Sequence, residues 1–321
     1  SSQSRGLGDV YKRQGLARRM QAAHSQAMVI GLSGGLDSTL AFLVAFDALQ
    51  KLDLAPHQLH AITMPGPGTS SGTHSNAHAL ATAVQAHLEE IPIDAAVEQH
   101  LADLKHGGDF DVVFENAQAR ERTQILFNYA NKVGGIVVGT GDLSELALGW
   151  CTFNADHMAN YNVNASVPKT LIAYLVRWYA EHRAGAHPQL GDVLQRVLDT
   201  PISPELIPPQ NDEISQLTES LVGPYELHDY FLYHFLRHGS RPNKIYQLAC
   251  RSFESVYSAS EIAHWLGQFF QRFISQQFKR TTLPPGPKVG SVSLSPRGDW
   301  RMPDEATAKA LLDEIAQLQT N

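Results

Sequence analysis

The sequence predicts an α/β fold in which helices cover both faces of a doubly wound parallel sheet. Three observations support this prediction. Short apolar runs alternate with segments of helical periodicity between residues 15 and 140. A glycine-rich turn, residues 31–38, directly follows the first apolar run, and a second turn follows the fourth. Folds of this class bind their ligands at such turns, beyond the carboxyl ends of the parallel strands.

The predicted elements follow one another in a regular order along the first half of the chain. Each strand is a short apolar run, and each helix is a longer segment with helical periodicity. The strands are expected at Met28–Leu32, Leu59–Met64, Glu90–Ile93 and Ile136–Thr140. The helices are expected from Gly15 to the first strand and at Thr39–Leu49, Ser75–His87 and Asp111–Lys132. Together with a helical segment over residues 166–198, they form an α/β core over residues 15–200.

The two ends of the chain differ from this core. After a connection that contains Pro201, Pro204, Pro208 and Pro209, helical periodicity returns at Tyr225–His238 and Ser260–Phe278. Proline interrupts helices because it lacks a backbone N–H. We therefore expect a helical extension of the same domain over residues 201–321, folded back over the site. Residues 1–14 are polar and lack periodicity, which predicts a non-native or disordered tail.

Composition and charge exclude several classes of protein. A formal net charge of −7 and a pI near 6.1 argue against a nucleic-acid-binding surface, because such surfaces need clustered Lys and Arg. No apolar run approaches the ~20 residues that span a membrane. Cys151 and Cys250 are too far apart in sequence to suggest a zinc ribbon or a disulfide framework. We therefore expect a soluble, cytoplasmic protein that acts on small molecules.

The turn after the first strand has the composition of a phosphate-binding loop. Two adjacent glycines, Gly34 and Gly35, allow a tight turn in which backbone N–H groups and the start of the next helix can surround an anion. A Walker loop carries Lys before its final Ser or Thr, but Asp37 holds that position here. An acid beside polyphosphate implies a bridging Mg²⁺. This favours an enzyme that holds the β- and γ-phosphates of ATP as a leaving group; the alternative is a simple Gly-Gly turn.

The turn after the fourth strand places acidic residues at the same edge of the sheet. A Gly-Thr-Gly turn around Thr140 leads into a short helix that carries Glu145. If Glu145 faces the phosphate loop, its carboxylate and that of Asp37 can share one Mg²⁺ on the triphosphate. The alternative is that Asp142 and Ser144 cap the helix and that Glu145 is a solvated acid of its first turn.

Two histidine pairs have the i,i+4 spacing of neighbours on a helix: His74 with His78, and His234 with His238. A metal site needs a third converging ligand, or a Glu between the histidines as in the zincin motif. The sequence indicates neither at these two places. We therefore expect surface histidines.

The phosphate loop is the first of several motifs that follow one another along the chain. The others are Met64-Pro65 with Ser70-Ser71, residues 139–150, residues 161–171, Ser203–Leu206, Phe278–Arg280, Gly286–Val289 and Ser295–Trp300. Together these motifs resemble the synthetase half of the large, glutamine-dependent NAD⁺ synthetases, which have the fold of the N-type ATP pyrophosphatases (adenine nucleotide alpha hydrolase-like). The resemblance covers nearly everything from residue 15 to the end. Several long motifs in one order are more specific than any single loop.

The resemblance implies an amide ligase. In this family ATP adenylates the nicotinate carboxylate of deamido-NAD⁺ (nicotinic acid adenine dinucleotide), pyrophosphate leaves, and ammonia attacks the acyl-adenylate. Activation precedes amidation because a carboxylate is a poor electrophile, so the enzyme must position two anions and stabilise the departing pyrophosphate. The implied substrates are deamido-NAD⁺, ATP and ammonia, the implied cofactor is Mg²⁺, and the expected assembly is a homo-oligomer.

The resemblance also implies roles for individual residues. Asp37 and Glu145 match the Mg²⁺ ligands, and Lys169 matches a catalytic Lys that meets phosphate charge as a mobile cation. Arg120 is an alternative to Arg122 as the Arg that contacts ATP. The implied ATP and pyrophosphate ligands are Gly31, Leu32, Ser33, Gly34, Gly35, Ser38, Arg122 and Thr140. The implied deamido-NAD⁺ ligands are Trp150, Asp156, Asn162, Asn164 and a basic pair on a late loop, Lys279 and Arg280.

The chain departs from the family pattern in two respects. Between Thr152 and Asp156 the glycine of the usual Thr-x-x-Gly-Asp pattern is absent, and Asp156 is the candidate for the acidic role. Only about thirty residues precede the phosphate loop, far fewer than the family's glutaminase domain needs. We therefore expect a fragment of a longer enzyme or an enzyme that uses free ammonia. The competing interpretations are another ATP pyrophosphatase half, as in GMP or asparagine synthetase, and a non-catalytic nucleotide-binding module.

Overall fold

The computed structural model of the chain describes residues 2–69, 71–200 and 218–318. The predicted proline-rich connection, with Pro201, Pro204, Pro208 and Pro209, lies outside the described residues. So do Ser70 and the motif Ser203–Leu206.

Five parallel strands form the sheet. They are β1 (Ala27–Gly31), β2 (Leu59–Thr63), β3 (His87–Glu90), β4 (Gly135–Gly139) and β5 (Tyr161–Asn162). Their order in the sheet is β3-β2-β1-β4-β5, and every neighbouring pair is parallel. The chain first builds outward from β1 and then returns to add β4 and β5 on its other side, so the sheet is doubly wound and the predicted fold class is confirmed. The direction reverses between β1 and β4, which is where an open α/β sheet binds its ligand.

Helices surround this sheet and form most of the second half. Those of the first half are α1 (Ser2–Ala22), α2 (Leu36–Lys51), α3 (Ser71–Ala83), α4 (Asp94–Asp103), α5 (Val112–Val133), α6 (Leu143–Leu148), α7 (Lys169–His182) and α8 (Pro188–Asp199). Those of the second half are α9 (Thr218–Val222), α10 (Tyr225–His238), α11 (Pro242–Ser252), α12 (Ala259–Ser275), α13 (Gln277–Arg280) and α14 (Lys309–Leu318). None of the described helices is long and apolar enough to cross a membrane.

Two hydrophobic cores meet beside the switch point. The first core joins the sheet to α1, α2, α7 and α8, and α2 is buried from Ser38 to Leu49. The second core joins α10, α11, α12 and α14 to α6, the short helix that follows β4. Leu143 and Leu146 of α6 are buried in this second core, against residues such as Phe270. The helical extension therefore reaches the edge of the sheet where the two predicted site turns lie.

The structure differs from the sequence predictions at some element ends. Helix α1 begins at Ser2, whereas the sequence predicted that it begins at Gly15. The buried side chains of Leu16 and Met20 anchor this helix, and further turns add to an anchored helix at little cost. Strand β3 precedes the predicted Glu90–Ile93 because it is a partly exposed edge strand without an apolar run.

Five elements were not predicted individually, namely α4, α9, α11, α14 and β5. Helix α4 buries only Val97, and strand β5 has only two residues. Such elements carry little of the periodicity on which a prediction depends.

Candidate active site

A cavity of about 710 Å³ opens beyond the carboxyl ends of β1 and β4. Most of the predicted site residues line it, namely Gly31, Leu32, Ser33, Gly35, Asp37, Ser38, Arg122, Thr140, Glu145, Trp150, Asp156 and Lys279. Five predicted residues lie behind the cavity wall instead, namely Gly34, Asn162, Asn164, Lys169 and Arg280. The site therefore forms at the switch point, as the order of the motifs predicts.

The phosphate loop is fixed by a close approach of two backbones. Gly34 has a φ of +85°, and a Cβ atom there would lie 2.0 Å from the carbonyl oxygen of Thr73. Only glycine fits such a position. Ser33 Oγ accepts a hydrogen bond from the N–H of Gly35 at 3.2 Å and lies 3.0 Å from Ser38 Oγ. Because the N-cap residue of α2 is Gly35, no side chain covers the first turn of α2, and its N–H groups suit an anion.

Behind this loop, Lys169 lies among three carboxylates, and we call these four residues the charge cluster. Its Nζ atom lies 2.6 Å from Asp37 Oδ2, 2.7 Å from Asp142 Oδ2 and 2.9 Å from Glu145 Oε1. The side chain of Lys169 is only 3% exposed, so it is not a solvated residue although it begins α7. The four residues come from the starts of α2, α6 and α7, which converge at the switch point.

Asp142 belongs to this cluster, although the sequence indicated it only as a helix cap. It does cap α6, since its Oδ1 accepts from the N–H of Glu145 at 2.8 Å. Its other oxygen faces Lys169, and its side chain is fully buried. The predicted cap is therefore present, and the same residue also faces Lys169, because one Asp has two oxygens for two purposes.

The charge cluster is electrostatically coupled. Burial raises the pKa of Glu145 to about 7, and the negative charge of Asp37 adds to this effect. Burial and the negative charge of Glu145 raise the pKa of Asp142 well above its usual range. Burial opposes the charge of Lys169, but the attraction of Asp142, Asp37 and Glu145 holds its pKa well above the usual range. With all four groups ionised, three negative charges face one positive charge. The excess negative charge favours a further cation.

The donor set of the cluster fits Mg²⁺. One oxygen from each of Asp37, Asp142 and Glu145 lies within 4.8 Å of the others. Asp37 Oδ1 is buried and has no hydrogen-bond partner within the described part of the chain. Hard oxygen donors at the edge of a cavity, with room for substrate oxygens, are typical of Mg²⁺ sites.

Two predicted substrate ligands, Asn162 and Asn164, donate hydrogen bonds to backbone groups of the site turns. Asn164 Nδ2 donates to the backbone oxygens of Asp37 and Thr140, each at 3.0 Å. Asn162 Nδ2 donates to the carbonyl of Gly141 at 2.8 Å. Both side chains are buried. They hold the two site turns together behind the cavity wall, so their amides are directed at backbone groups and not into the cavity. Their role as deamido-NAD⁺ ligands stays a prediction.

In the predicted basic pair, only Lys279 lines the cavity, whereas Arg280 does not. Arg280 is 1% exposed and donates to the backbone oxygens of Leu146, Ala147 and Phe273, so it braces α6 and does not reach the cavity. Lys279 does line the cavity, although its Nζ donates to the carbonyls of Gly149 and Cys151 at 2.8 and 2.7 Å. The pair lies on the short helix α13 and not on a loop.

Two further sets of residues complete the cavity wall. Arg122 is anchored, because its Nε donates to the carbonyl of Met64 at 3.1 Å, whereas Arg120 is exposed. Both line the cavity, and anchoring favours Arg122 as the residue that holds a defined position.

In the segment that lacks the usual glycine, Asp156 accepts from the N–H of Thr152 at 2.7 Å.

Sequence reasoning missed Asp229 of α10, which ties the helical extension to the cluster. Its carboxylate accepts hydrogen bonds from Ser144 Oγ and from the N–H and hydroxyl of Thr170, the latter two at 3.1 and 2.7 Å. Ser144 Oγ in turn accepts from the N–H of Lys169 at 2.8 Å. No local pattern could have revealed this contact, because Asp229 is remote in sequence from both partners.

We expect the Asp229→Asn substitution to destabilise the protein by about 1–3 kcal/mol, since an amide has one acceptor oxygen and cannot replace a charged acceptor. The turnover of the folded variant should fall as well, because the starts of α6 and α7 lose their shared anchor. Thermal unfolding and a steady-state assay measure the two effects. Glu226→Gln on the same helix is the matched control, since Glu226 accepts from Tyr257 at an exposed position. Equal behaviour of the two variants would contradict the anchoring role.

Comparison with known proteins agrees with this architecture. A sequence model of NAD synthase matches residues 10–265. The glutamine-dependent NAD(+) synthetase of Mycobacterium tuberculosis is 46% identical over 326 residues, which cover 94% of this chain and 48% of that protein. The chain thus spans about half the length of the curated relatives it matches.

Two solved structures share the fold. A glutamine-dependent NAD(+) synthetase from Cytophaga hutchinsonii has a TM-score of 0.79 at 19% identity, over 97% of this chain and 56% of that one. An NH3-dependent NAD synthetase from Campylobacter jejuni, in complex with the nitrate ion, has a TM-score of 0.60 at 20% identity, over 87% of this chain and 97% of that one. The shared fold agrees with the sequence match, and the chain belongs to the NAD synthase family.

Proposed function

We propose that this chain catalyses the ATP-dependent amidation of deamido-NAD⁺ to NAD⁺ through an acyl-adenylate, with release of pyrophosphate and AMP. The observation that carries the proposal is the convergence of the phosphate loop with the charge cluster at the switch point. Relatives named glutamine-dependent NAD(+) synthetases support it. A mere nucleotide-binding module is not favoured, because binding alone does not need three carboxylates around one buried Lys.

In the first step, an oxygen of the nicotinate carboxylate attacks the α-phosphorus of ATP. The bond between the α- and β-phosphates breaks, and pyrophosphate leaves with the electron pair. Ser33, Ser38 and the first-turn N–H groups of α2 are placed to donate to the oxygens of this leaving group. Arg122 adds a fixed positive charge to the same cavity.

In the second step, ammonia attacks the acyl carbon with its lone pair. The bond from this carbon to the AMP oxygen breaks, AMP leaves, and the nitrogen loses a proton as the amide forms. Trp150 and Asp156 line the cavity beyond Glu145 and are our candidates for the nicotinate side. The chain's contribution here is to hold the activated carbonyl and the amine in contact and away from bulk water.

Asp37 and Glu145, whose carboxylates line the cavity, would hold the Mg²⁺. When bound, the ion neutralises phosphate charge as pyrophosphate departs. Lys169 remains beside the same carboxylates and balances part of their charge. The residues of the cluster therefore set how much negative charge the site can accept from two anionic substrates.

The direct test is to incubate the 321-residue polypeptide with ATP, Mg²⁺, deamido-NAD⁺ and ammonium chloride. NAD⁺, AMP and pyrophosphate should form in equal amounts. ADP in place of AMP, or AMP release that does not depend on deamido-NAD⁺, would contradict the proposal.

We expect ammonium to support NAD⁺ formation by this polypeptide and glutamine to support none. The physical reason is that the side-chain amide of glutamine is a poor nucleophile until a glutaminase releases its nitrogen, and the family's glutaminase triad is not among these residues. Initial rates with each donor at saturating ATP measure the difference. Equal rates with the two donors would contradict this expectation.

A further inference from the structure

Away from the charge cluster, three side chains converge where α3 packs against β3. His74 and His78 lie on α3, and Glu90 is the last residue of β3. The Nε2 atoms of both imidazoles contact one oxygen, Glu90 Oε2, at 2.6 Å from His74 and 2.9 Å from His78. The centroids of the two rings lie 4.5 Å apart. One donor atom from each of the three residues lies within 4.8 Å of the other two.

We propose that His74, His78 and Glu90 form a binding site for a zinc-like transition-metal ion. Two imidazole nitrogens and one carboxylate oxygen are a donor set that suits Zn²⁺, whereas Mg²⁺ and Ca²⁺ take oxygen ligands. Three protein ligands leave a fourth position for water or an anion. The site is thus distinct from the charge cluster, whose metal-binding donors are all oxygens.

The backbone explains why these three residues meet. The i,i+4 spacing puts both imidazoles on one face of α3. In β3, successive side chains point to opposite faces of the sheet, so Glu90 faces α3 while Glu89 accepts a hydrogen bond from Tyr129 OH of α5 at 2.6 Å. The other i,i+4 pair, His234 and His238 on α10, gains no third ligand within the described part of the chain. The two histidine pairs have the same spacing in the sequence, and the packing of α3 against β3 gives only the pair on α3 a third ligand among the described residues.

The three side chains are also accessible and suitably charged. They are between 36% and 41% exposed, so an ion can enter from solvent. Glu90 supplies an acidic group, and its Oε2 atom faces both imidazole nitrogens. A metal ion would replace these contacts with stronger coordination bonds to the same atoms.

The position of the site predicts what a bound ion would do. It would link α3 to β3 at a point where His74 also borders the main cavity. The residue before His74, Thr73, places its carbonyl against Gly34 of the phosphate loop. An ion at this site would therefore stabilise the packing that supports the loop, and it would stabilise the folded state by mass action.

Calorimetric titration of the full, untagged chain with Zn²⁺, in an excess of Mg²⁺ that occupies oxygen-only sites, tests the proposal. We expect one Zn²⁺ per chain. The variants His78→Ala and Glu90→Gln should weaken this affinity by at least about 100-fold, the upper end of what loss of an outer-shell partner costs. The matched controls are His234→Ala, from the other histidine pair, and Glu89→Gln, from the other face of β3. Both should bind Zn²⁺ as the unmodified chain does.

Cobalt substitution supplies a readout that a loosely bound surface ion does not give. Co²⁺ in a site of four ligands should give intense visible absorption bands, and these should disappear in His78→Ala. Unfolding temperature should rise with Zn²⁺ in the unmodified chain and not in Glu90→Gln, while circular dichroism confirms that each variant is folded. Zn²⁺ affinity unchanged in His78→Ala, or lowered equally in His234→Ala, would overturn the proposal and leave a simple His–Glu ion pair.

Discussion

The Lys169→Ala variant should lose about 100-fold or more in turnover, the range seen when one preorganised donor to a developing charge is removed, with a smaller change in ATP affinity. Lys169 is 3% exposed and lies within 2.9 Å of three carboxylates. Without its charge, these carboxylates repel one another and the phosphates that gain charge as pyrophosphate leaves. The phosphate loop itself stays intact, so binding of ATP in the ground state should change less than the rate.

The geometry also predicts how other substitutions behave. Arg at position 169 should recover little activity, because a planar guanidinium is larger than an ammonium and cannot take its place in so closed a site. If the Ala variant does not fold, Lys169→Met replaces it in the test, because Met removes the charge and keeps a similar side-chain volume. Lys309→Ala is the control, since Lys309 is a 79%-exposed, ion-paired Lys on α14. Steady-state AMP release measures the turnover of each variant, and a direct binding measurement gives its affinity for ATP. Unchanged turnover in Lys169→Ala would show that this residue has no part in the reaction.

The second large effect concerns Asp37 and Glu145. If they hold one ion together, Asp37→Ala and Glu145→Ala should each lower turnover by about 100-fold or more, beyond the cost of losing an outer-shell partner. The double variant should lose little more than either single variant, because groups that act as a unit are non-additive. The Mg²⁺ concentration that gives half-maximal rate should rise in both single variants.

A control for this pair is available elsewhere in the chain. Glu145 occupies the third position of α6 in a capping box with Asp142, and Glu261 occupies the same position of α12 in a capping box with Ser258. Glu261→Ala should therefore show the stability cost of a lost cap without the loss of activity. If the losses from Asp37→Ala and Glu145→Ala multiply fully in the double variant, the two carboxylates act separately and do not share an ion.

Local patterns along the chain were enough to predict the sheet, its parallel direction and the edge at which the site lies. The predicted strands at residues 28–32, 59–64 and 136–140 match β1, β2 and β4 within a residue at each end. The loop at Gly34 and the turn at Thr140 were recognisable because glycine spacing and capping residues are local signals. Parallel strands then bring their carboxyl ends to one edge, so the meeting of Asp37 with Glu145 follows from topology.

Local patterns could not predict which polar side chains face the cavity. Polar side chains of the type that binds substrates occur at Asn162, Asn164 and Arg280. Each of them donates hydrogen bonds to backbone carbonyls instead. A buried polar group must find a partner, and the nearest partner depends on packing between distant segments.

The same reason explains the contacts that the sequence did not show. Asp229 reaches Ser144 and Thr170 only because the helical extension packs on α6 and α7. Glu90 completes the histidine pair on α3 only because β3 is paired on β2 in one register and places that side chain on the α3 face. Periodicity fixes which face of an element a residue occupies, whereas the element that covers that face is set by long-range packing.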